Sequence, residues 1–342
     1  MQIKYYGGEN VPAVEAMFYE NISQDKVRCL LCPHHCLLGE GQLGLCRVRI
    51  NSGQDLNTLN YGEIASLALD PIEKKPLYHF YPGKMILSAG SFGCNLFCGF
   101  CQNHSLAHGD PETQAIKPEG LVRITENTIR EGSIGLAFTY NEPGIWYEYI
   151  LDTAPRLQEQ NLKCVLVTNG YIEQKPLEQL LPYVDAMNID VKAFSEEFYR
   201  RNCKGQLAAV KASVEKAVEQ THVEITTLLI PGENDDPEEI RELARWLASL
   251  NPNIPLHLSR YHPAYHFEKE ATAPALLYRS RDTAREFLNF VYVGNLATGE
   301  NHTSCQVCGE LLIKRNIYQV SNVGLEDGKC IHCGSEVEYI TR

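Results

Sequence analysis

Residues 163–192 read KCVLVTNGYIEQKPLEQLLPYVDAMNIDVK. An apolar, β-branched run (Lys163–Thr168) meets a polar turn, Thr168-Asn169-Gly170-Tyr171. A segment of helical period follows, and then a second apolar run, Ala186–Val191, closes the stretch. Run, helix and run in this order is the pattern of a βαβ unit, whose strands lie parallel. The same alternation extends outward over residues 84–296, with further runs at Lys84–Ala89, Ile134–Tyr140, Val223–Ile230, Ile254–Tyr261 and Phe290–Val293. Asp236 and Pro237 mark one helix start, after which Ile240, Leu243, Ala244, Leu247 and Leu250 share a face. Leu207–Gln220 is a second helix, with Val210, Val214, Ala217 and Val218 on its stripe. Strand then helix, repeated about six times, predicts an α/β fold with a parallel sheet and helices outside. An open sheet and a closed or partial barrel both satisfy the pattern.

In either form chemistry is expected where strands hand over to loops at their carboxyl ends. Those junctions carry Tyr140-Asn141-Glu142-Pro143, Asn188-Ile189-Asp190-Val191-Lys192, Pro231-Gly232-Glu233-Asn234-Asp235-Asp236 and Ser259-Arg260-Tyr261-His262. Turn chemistry accounts for Gly170 and Gly232. It does not account for Glu142, Lys192 or His262 at the ends of apolar strands.

The 342 residues carry 31 Lys+Arg against 43 Asp+Glu, a net charge of −12, which argues against nucleic acid as a partner. Hydrophobic content of 44% suits a packed core. No apolar run is long enough to cross a bilayer and Met1–Pro12 lacks a signal-peptide core, so the reading is no membrane and a cytoplasmic chain.

Eleven of the 13 cysteines fall into three groups: Cys29, Cys32, Cys36 and Cys46; Cys94, Cys98 and Cys101; and Cys305, Cys308, Cys330 and Cys333. In a reducing compartment such groups point to metal. Cys164 lies in an apolar strand and reads as a structural thiol, whereas Cys203, in Arg200-Arg201-Asn202-Cys203-Lys204, reads as an idle surface thiol. In CNLFCGFC (94–101) three thiolates on one loop can each hold a corner of a [4Fe-4S] cube and leave one iron open. Zinc would need a fourth ligand there, for which only His104 is at hand. The N-terminal four, spaced by two, three and nine residues, suit a zinc ion and a second iron–sulfur cluster equally, with His34 and His35 as alternative ligands. The C-terminal pairs, Cys-x-x-Cys twice across 21 residues with Gly309 and Gly334 behind them, read as a zinc ribbon with Leu311–Val320 as its hairpin. From residue 305 on, four Lys/Arg face five Asp/Glu, so this module has no basic patch.

Cys94-x-x-x-Cys98-x-Phe100-Cys101 opening a parallel barrel resembles the signature of the radical S-adenosylmethionine (radical SAM) superfamily. That resemblance implies a [4Fe-4S] cluster whose open iron chelates S-adenosylmethionine, and reductive cleavage to a 5′-deoxyadenosyl radical that abstracts hydrogen from a substrate. It carries cofactor contacts onto Phe100, Asn141, Glu142, Thr168, Asn169, Asp190, Lys192 and His262. Glu142 stands where the superfamily often has a Gly-Gly-Glu run, and both glycines are missing. Over nearly its whole length, through Cys29–Cys36 (CLLCPHHC) and Asp70–Phe80 (DPIEKKPLYHF), the chain resembles the radical SAM enzyme of the AmmeMemoRadiSam system, similar to pyruvate formate-lyase activating enzymes. That family implies Memo-like and AMMECR1-like partner proteins and an electron donor such as flavodoxin or ferredoxin. Lys74 and Lys75 read as a solvated charge pair, with an acidic-substrate contact or a pairing with Glu73 as the alternatives.

The combined expectation is a partial (β/α)6-type TIM-like barrel at 81–299. An N-terminal Cys-rich metal-binding segment at 1–80 precedes it and a zinc-ribbon-like module at 300–342 follows. The activity expected is that of a radical SAM enzyme with an unidentified substrate. Two alternatives stay open: an activase placing a glycyl radical on a partner enzyme, and a non-catalytic metal-binding scaffold.

Overall fold

Eight strands form the main sheet of the computed structural model, which describes residues 14–296 and 301–341. Met1–Pro12 and the expected boundary at 299 and 300 lie outside the described residues. The strands are β1 (Ser66–Pro71), β2 (Met85–Gly90), β3 (Ser133–Phe138), β4 (Lys163–Thr168), β5 (Ala186–Asp190), β6 (His222–Leu229), β7 (Leu256–Arg260) and β8 (Val291–Gly294). They lie in sequence order, all neighbours parallel except β1 against β2, and the sheet stays open between β1 and β8. The seven β-rich runs of the sequence are therefore β2–β8. Strand β1 carries the sheet back across the expected boundary at residue 80. Its sequence, SLALDP, is short, and five of its six residues are half-buried, as suits a strand at the edge of a sheet.

Six helices cross over between the parallel strands: α1 (Pro118–Asn127), α2 (Tyr147–Glu159), α3 (Gln174–Leu180), α4 (Leu207–Val218), α5 (Pro237–Leu250) and α6 (Pro274–Ala284). Helix α5 starts as its sequence dictates: the Asp236 side chain accepts from Glu238 N, and Pro237 needs no donor at the first turn. Its buried face is Ile240, Leu243, Ala244 and Leu247. Each large side chain on that face contributes roughly 1.5–3 kcal/mol by leaving water.

The segment Asp70–Phe80 closes the amino-terminal end of the barrel. Asp70 accepts from Lys75 Nζ at 2.9 Å and from Lys74 Nζ at 3.0 Å, while Glu224 of β6, fully buried, accepts from the Tyr78 and His79 amides and faces His257 Nε2 at 2.6 Å. Lys75 is therefore buried, against the solvated reading, while Lys74 keeps an exposed side chain, and both lysines pair with Asp70, not Glu73. The C-terminal module, with the expected hairpin as Leu311–Asn316 and Gln319–Asn322, rests on this closed end. Arg315 is buried there and donates to Tyr78 O and Thr303 Oγ1. At the other end of the chain Tyr19–Ser23, Lys26–Cys29 and Leu37–Gly39 make a small antiparallel sheet that presents the N-terminal cysteines. No helix among the described residues is long and apolar enough to cross a membrane.

Candidate active site at the mouth of the barrel

A cavity of about 230 Å³ opens at the carboxyl ends of the strands. The loop after β2 brings Cys94, Cys98, Phe100 and Cys101 to its wall, the end of β3 brings Asn141 and Glu142, β4 brings Thr168 and Asn169, and β5 brings Asp190 and Lys192. Ten of the eleven residues singled out for this site, across four chain segments, therefore meet in one place. The exception is His262. Strand alternation turns Tyr261 inward, where its ring is buried and its hydroxyl donates to Phe267 O at 2.8 Å, so His262 faces solvent and does not line the cavity.

Glu142 organises the wall. It is buried, and its carboxylate accepts from Gly144 N (2.7 Å), Thr168 Oγ1 (2.6 Å) and Asn169 N (2.8 Å), which ties β3 to β4. Burial raises its pKa despite those three donors. Three of the carboxylate's roughly four lone-pair sites are thereby used, and one is left for a ligand. Asn141 accepts from Ser91 N and donates to the carbonyls of Phe92 and Gly93, fixing the start of the cysteine loop. Asn169 Nδ2 reaches Asn95 Oδ1 at 3.0 Å and Cys94 Sγ at 3.7 Å.

Where the glycines of a Gly-Gly-Glu run are missing, Tyr140 itself takes a left-handed backbone, φ +73°. That conformation is costly for a bulky residue. It persists because the side chain is anchored below: Tyr140 Oη donates to Asp70 Oδ2 at 2.6 Å, and the Lys75 ammonium sits 4.6 Å from the ring centre.

Lys192 Nζ donates to Asp190 Oδ2 at 2.6 Å. Burial alone would lower the ammonium's pKa, but the Asp190 carboxylate beside it reverses that, so the group stays charged. Burial pushes the Cys94 thiol well up and the Cys101 thiol to about 11. Cys98 is raised first by its hydrogen bond with Cys203 and then by burial. Thiols held this way give up their protons when a metal takes them.

Cys203 overturns the surface reading. It is fully buried, because Tyr199–Cys203 winds as a π-turn that ends at Lys204 with φ +57°. The turn lends its carbonyls to the cysteine loop, Cys203 O to Phe97 N (2.8 Å) and Asn202 O to Gly99 N (3.3 Å). Cys203 supports Cys98 from behind and does not line the cavity, so three sulfurs face it. A three-thiol wall with one open side fits a cluster that keeps an exchangeable corner. Thr226 and Ser259, also on the wall, were not singled out from the sequence. Thr226 lines the cavity, while its Oγ1 is buried and has no hydrogen-bond partner. Its signal was only the inward register of β6.

His104 and the two other histidines weighed as ligands have other roles. His104 stacks on Tyr265 at 4.9 Å, His34 bonds Asn95 O at 2.7 Å, and His35 pairs with Glu173 at 2.8 Å. Cys164 is buried in β4, as its apolar run requires.

The profile described as the radical SAM superfamily matches residues 90–247. An uncharacterized protein of Methanocaldococcus jannaschii is 39% identical over 334 residues, 95% of this chain and 99% of that one. The isethionate sulfite-lyase activating enzyme of Oleidesulfovibrio alaskensis is 25% identical over 188 residues, 49% of this chain and 55% of that enzyme. In fold, a radical SAM methyltransferase from Sphaerobacter thermophilus superposes with a TM-score of 0.51 at 16% identity, covering 88% of this chain and 81% of that one.

Proposed function

The chain belongs to the radical SAM superfamily, and from that premise we propose that Cys94, Cys98 and Cys101 hold a [4Fe-4S] cluster at which S-adenosylmethionine is bound and reductively cleaved. When bound, that pair supplies a one-electron break of the sulfonium to methionine and a 5′-deoxyadenosyl radical, which takes hydrogen from a substrate. The observation that carries the reading is the meeting of three thiols with Glu142, Asn169, Asp190 and Lys192 around one cavity. The residues divide the work. Lys192, held by Asp190, is the charge partner for the methionine carboxylate, and the remaining lone pair of Glu142 accepts from its ammonium. Thr168 and Asn169 fix Glu142, and Asn141 fixes the cysteine loop. Phe100, buried against Phe198 and Phe267, helps to keep the wall dry. The electron comes from an external one-electron donor such as flavodoxin or ferredoxin.

The test is anaerobic reconstitution with iron and sulfide, then dithionite and S-adenosylmethionine, with 5′-deoxyadenosine as the readout. Wild type that makes none, or Cys98→Ala protein that makes as much as wild type, ends the proposal. Similarity to an activating enzyme favours a second reading, in which the hydrogen comes from a backbone glycine of a partner enzyme. Deuterium at that glycine should then appear in the deoxyadenosine.

For the C-terminal four we propose one structural zinc ion. Four sulfurs around a zinc at about 2.3 Å stand about 3.8 Å apart along each tetrahedral edge. Cys305 and Cys333 sulfurs are 3.8 Å apart and those of Cys308 and Cys330 are 3.7 Å apart. All four lie within 4.8 Å of one another.

A further inference from the structure

Tyr140 stands where two clamps of the mouth begin. Its neighbour Asn141 holds the start of the cysteine loop through Ser91 N at 3.0 Å and the carbonyls of Phe92 and Gly93 at 3.1 and 3.2 Å. The next residue, Glu142, holds the end of β4 through Thr168 Oγ1 and Asn169 N. The backbone angle at Tyr140 therefore aims both side chains. That angle, φ +73°, lies in the left-handed region, which a Cβ disfavours, so it lasts only where the surroundings over-determine it.

They do so from two sides. At the mouth the backbone is pressed against the end of β2: a Cβ on Gly90 would stand 2.7 Å from Thr139 O and 3.0 Å from Tyr140 Cβ. Deeper down, the side chain ends on β1, the antiparallel edge strand. Asp70 pairs there with Ile86, four residues below Gly90 along β2. Asp70 Oδ2 takes the Tyr140 hydroxyl at 2.6 Å and Lys75 Nζ at 2.9 Å, and the same ammonium sits 4.6 Å from the centre of the Tyr140 ring. Asp70 and Lys75 are 7% and 2% exposed, and neither lines the cavity. A buried ion pair is weak evidence for stability, because desolvation offsets most of the attraction. What this pair does fix is one ring, with its hydroxyl on the carboxylate and its face toward the ammonium.

We propose that Asp70, paired with Lys75, is a positioning residue for the S-adenosylmethionine site: it locks the Tyr140 side chain, and through the Tyr140 backbone it sets Asn141 against the cysteine loop and Glu142 against the methionine ammonium. The role toward S-adenosylmethionine rests on the reading of the mouth given above; the mechanical link from Asp70 to Asn141 and Glu142 does not.

Tyr140→Phe keeps the ring and loses only the hydroxyl. In the full chain before reconstitution, the Ser91 and Asn169 amides, held by Asn141 and Glu142, should exchange hydrogen about five-fold faster in this variant, read by mass spectrometry of the peptides that carry them. Exchange along α5 should stay as in wild type. Unchanged exchange at Ser91 and Asn169 overturns the link. In the chain reconstituted with iron and sulfide, Tyr140→Phe should weaken S-adenosylmethionine binding about five-fold in equilibrium dialysis. Asp70→Ala should weaken it at least as much, and the double variant no more than Asp70→Ala alone, since the hydroxyl then has no partner to lose. In a Tyr140→Gly background, where φ +73° carries no penalty, Asp70→Ala should change the affinity no further. Additive losses, or an equal loss from Asp70→Ala in the glycine background, give Asp70 a merely structural role and overturn the proposal. Should Asp70→Ala fold poorly with Lys75 left unpaired, Tyr140→Phe decides alone. Wild type that binds no S-adenosylmethionine ends the reading of the mouth, while the exchange result still decides the link.

Discussion

The C-terminal four cysteines and the three at the barrel mouth place one side chain in two settings. The C-terminal group takes two Cys-x-x-Cys turns from a small hairpin module, brings four sulfurs to a single-ion spacing, and leaves Cys308 and Cys333 at the surface. Around a single ion four such ligands would complete a tetrahedron and leave no open position. The barrel mouth offers three sulfurs beside a 230 Å³ cavity whose wall also carries Glu142, Asn169, Asp190, Lys192 and Thr226. The contrast teaches that ligand count and the space left beside the ligands, more than cysteine itself, distinguish the two groups, and the proposed roles follow from that difference. The N-terminal four, in a cleft walled by Arg49, share the ligand count of the first group, and the Cys46 carbonyl lies against Gly93 beside the second.

The largest effect expected is at the mouth. Cys98→Ala should reduce 5′-deoxyadenosine to background while zinc content, measured by mass spectrometry, stays at wild-type level. Loss of zinc in that variant would collapse the distinction between the two centres. Cys305→Ser/Cys330→Ser should do the reverse. A structural zinc site contributes folding energy outright, so the residues around Leu312, Ile313 and Leu325 should become protease-sensitive while deoxyadenosine formation persists.

A smaller effect, and one that sharpens the place of the N-terminal group, comes from its buried ion pair. The Arg49 and Glu148 side chains are 1% and 5% exposed. Removing one partner strands the other charge, and Glu148→Ala should cost about 3–5 kcal/mol in urea unfolding. Arg49→Met with Glu148→Leu should recover most of that, provided the cysteines beside it are left without metal. The smallest effect concerns Asp70 below the mouth. Burial pulls its pKa upward, but Lys75, Tyr140 and Lys74 overcome this and hold the carboxylate below its ordinary 3.8. Its folded value is depressed, so its contribution is present above about pH 4 and is lost as pH falls toward the folded value. Asp70→Asn should flatten the acid limb of stability against pH, seen by fluorescence; an unchanged slope would show that Asp70 does not set it.

Much of the barrel was legible because a parallel strand buried on both faces must be written as an unbroken apolar run. Lys163–Thr168 was bounded to the residue for that reason. Strand β1 was not, because an edge strand needs only half its positions to be apolar. Among site residues, Glu142 and Lys192 stood out as charges with no local reason to end an apolar strand. Thr226 and Ser259 are of types common on any strand, and only the inward register of β6 and β7 makes them part of a wall. Cys203 misled because its neighbours are polar: a π-turn hides the thiol while Arg200 and Arg201 stay exposed.

The sequence by itself determined what is local: which runs pair in parallel, where helices begin, and which cysteines share a loop. Steric and hydrogen-bonding rules act over a few residues and leave their mark in order and spacing. The tertiary structure decided what depends on distance between remote segments. It set Tyr140 in a glycine's conformation by anchoring it to Asp70, turned His262 outward, and laid the Cys46 loop against Gly93. Such contacts join residues dozens of positions apart, and no spacing along the chain encodes the closed cleft or the open cavity that results.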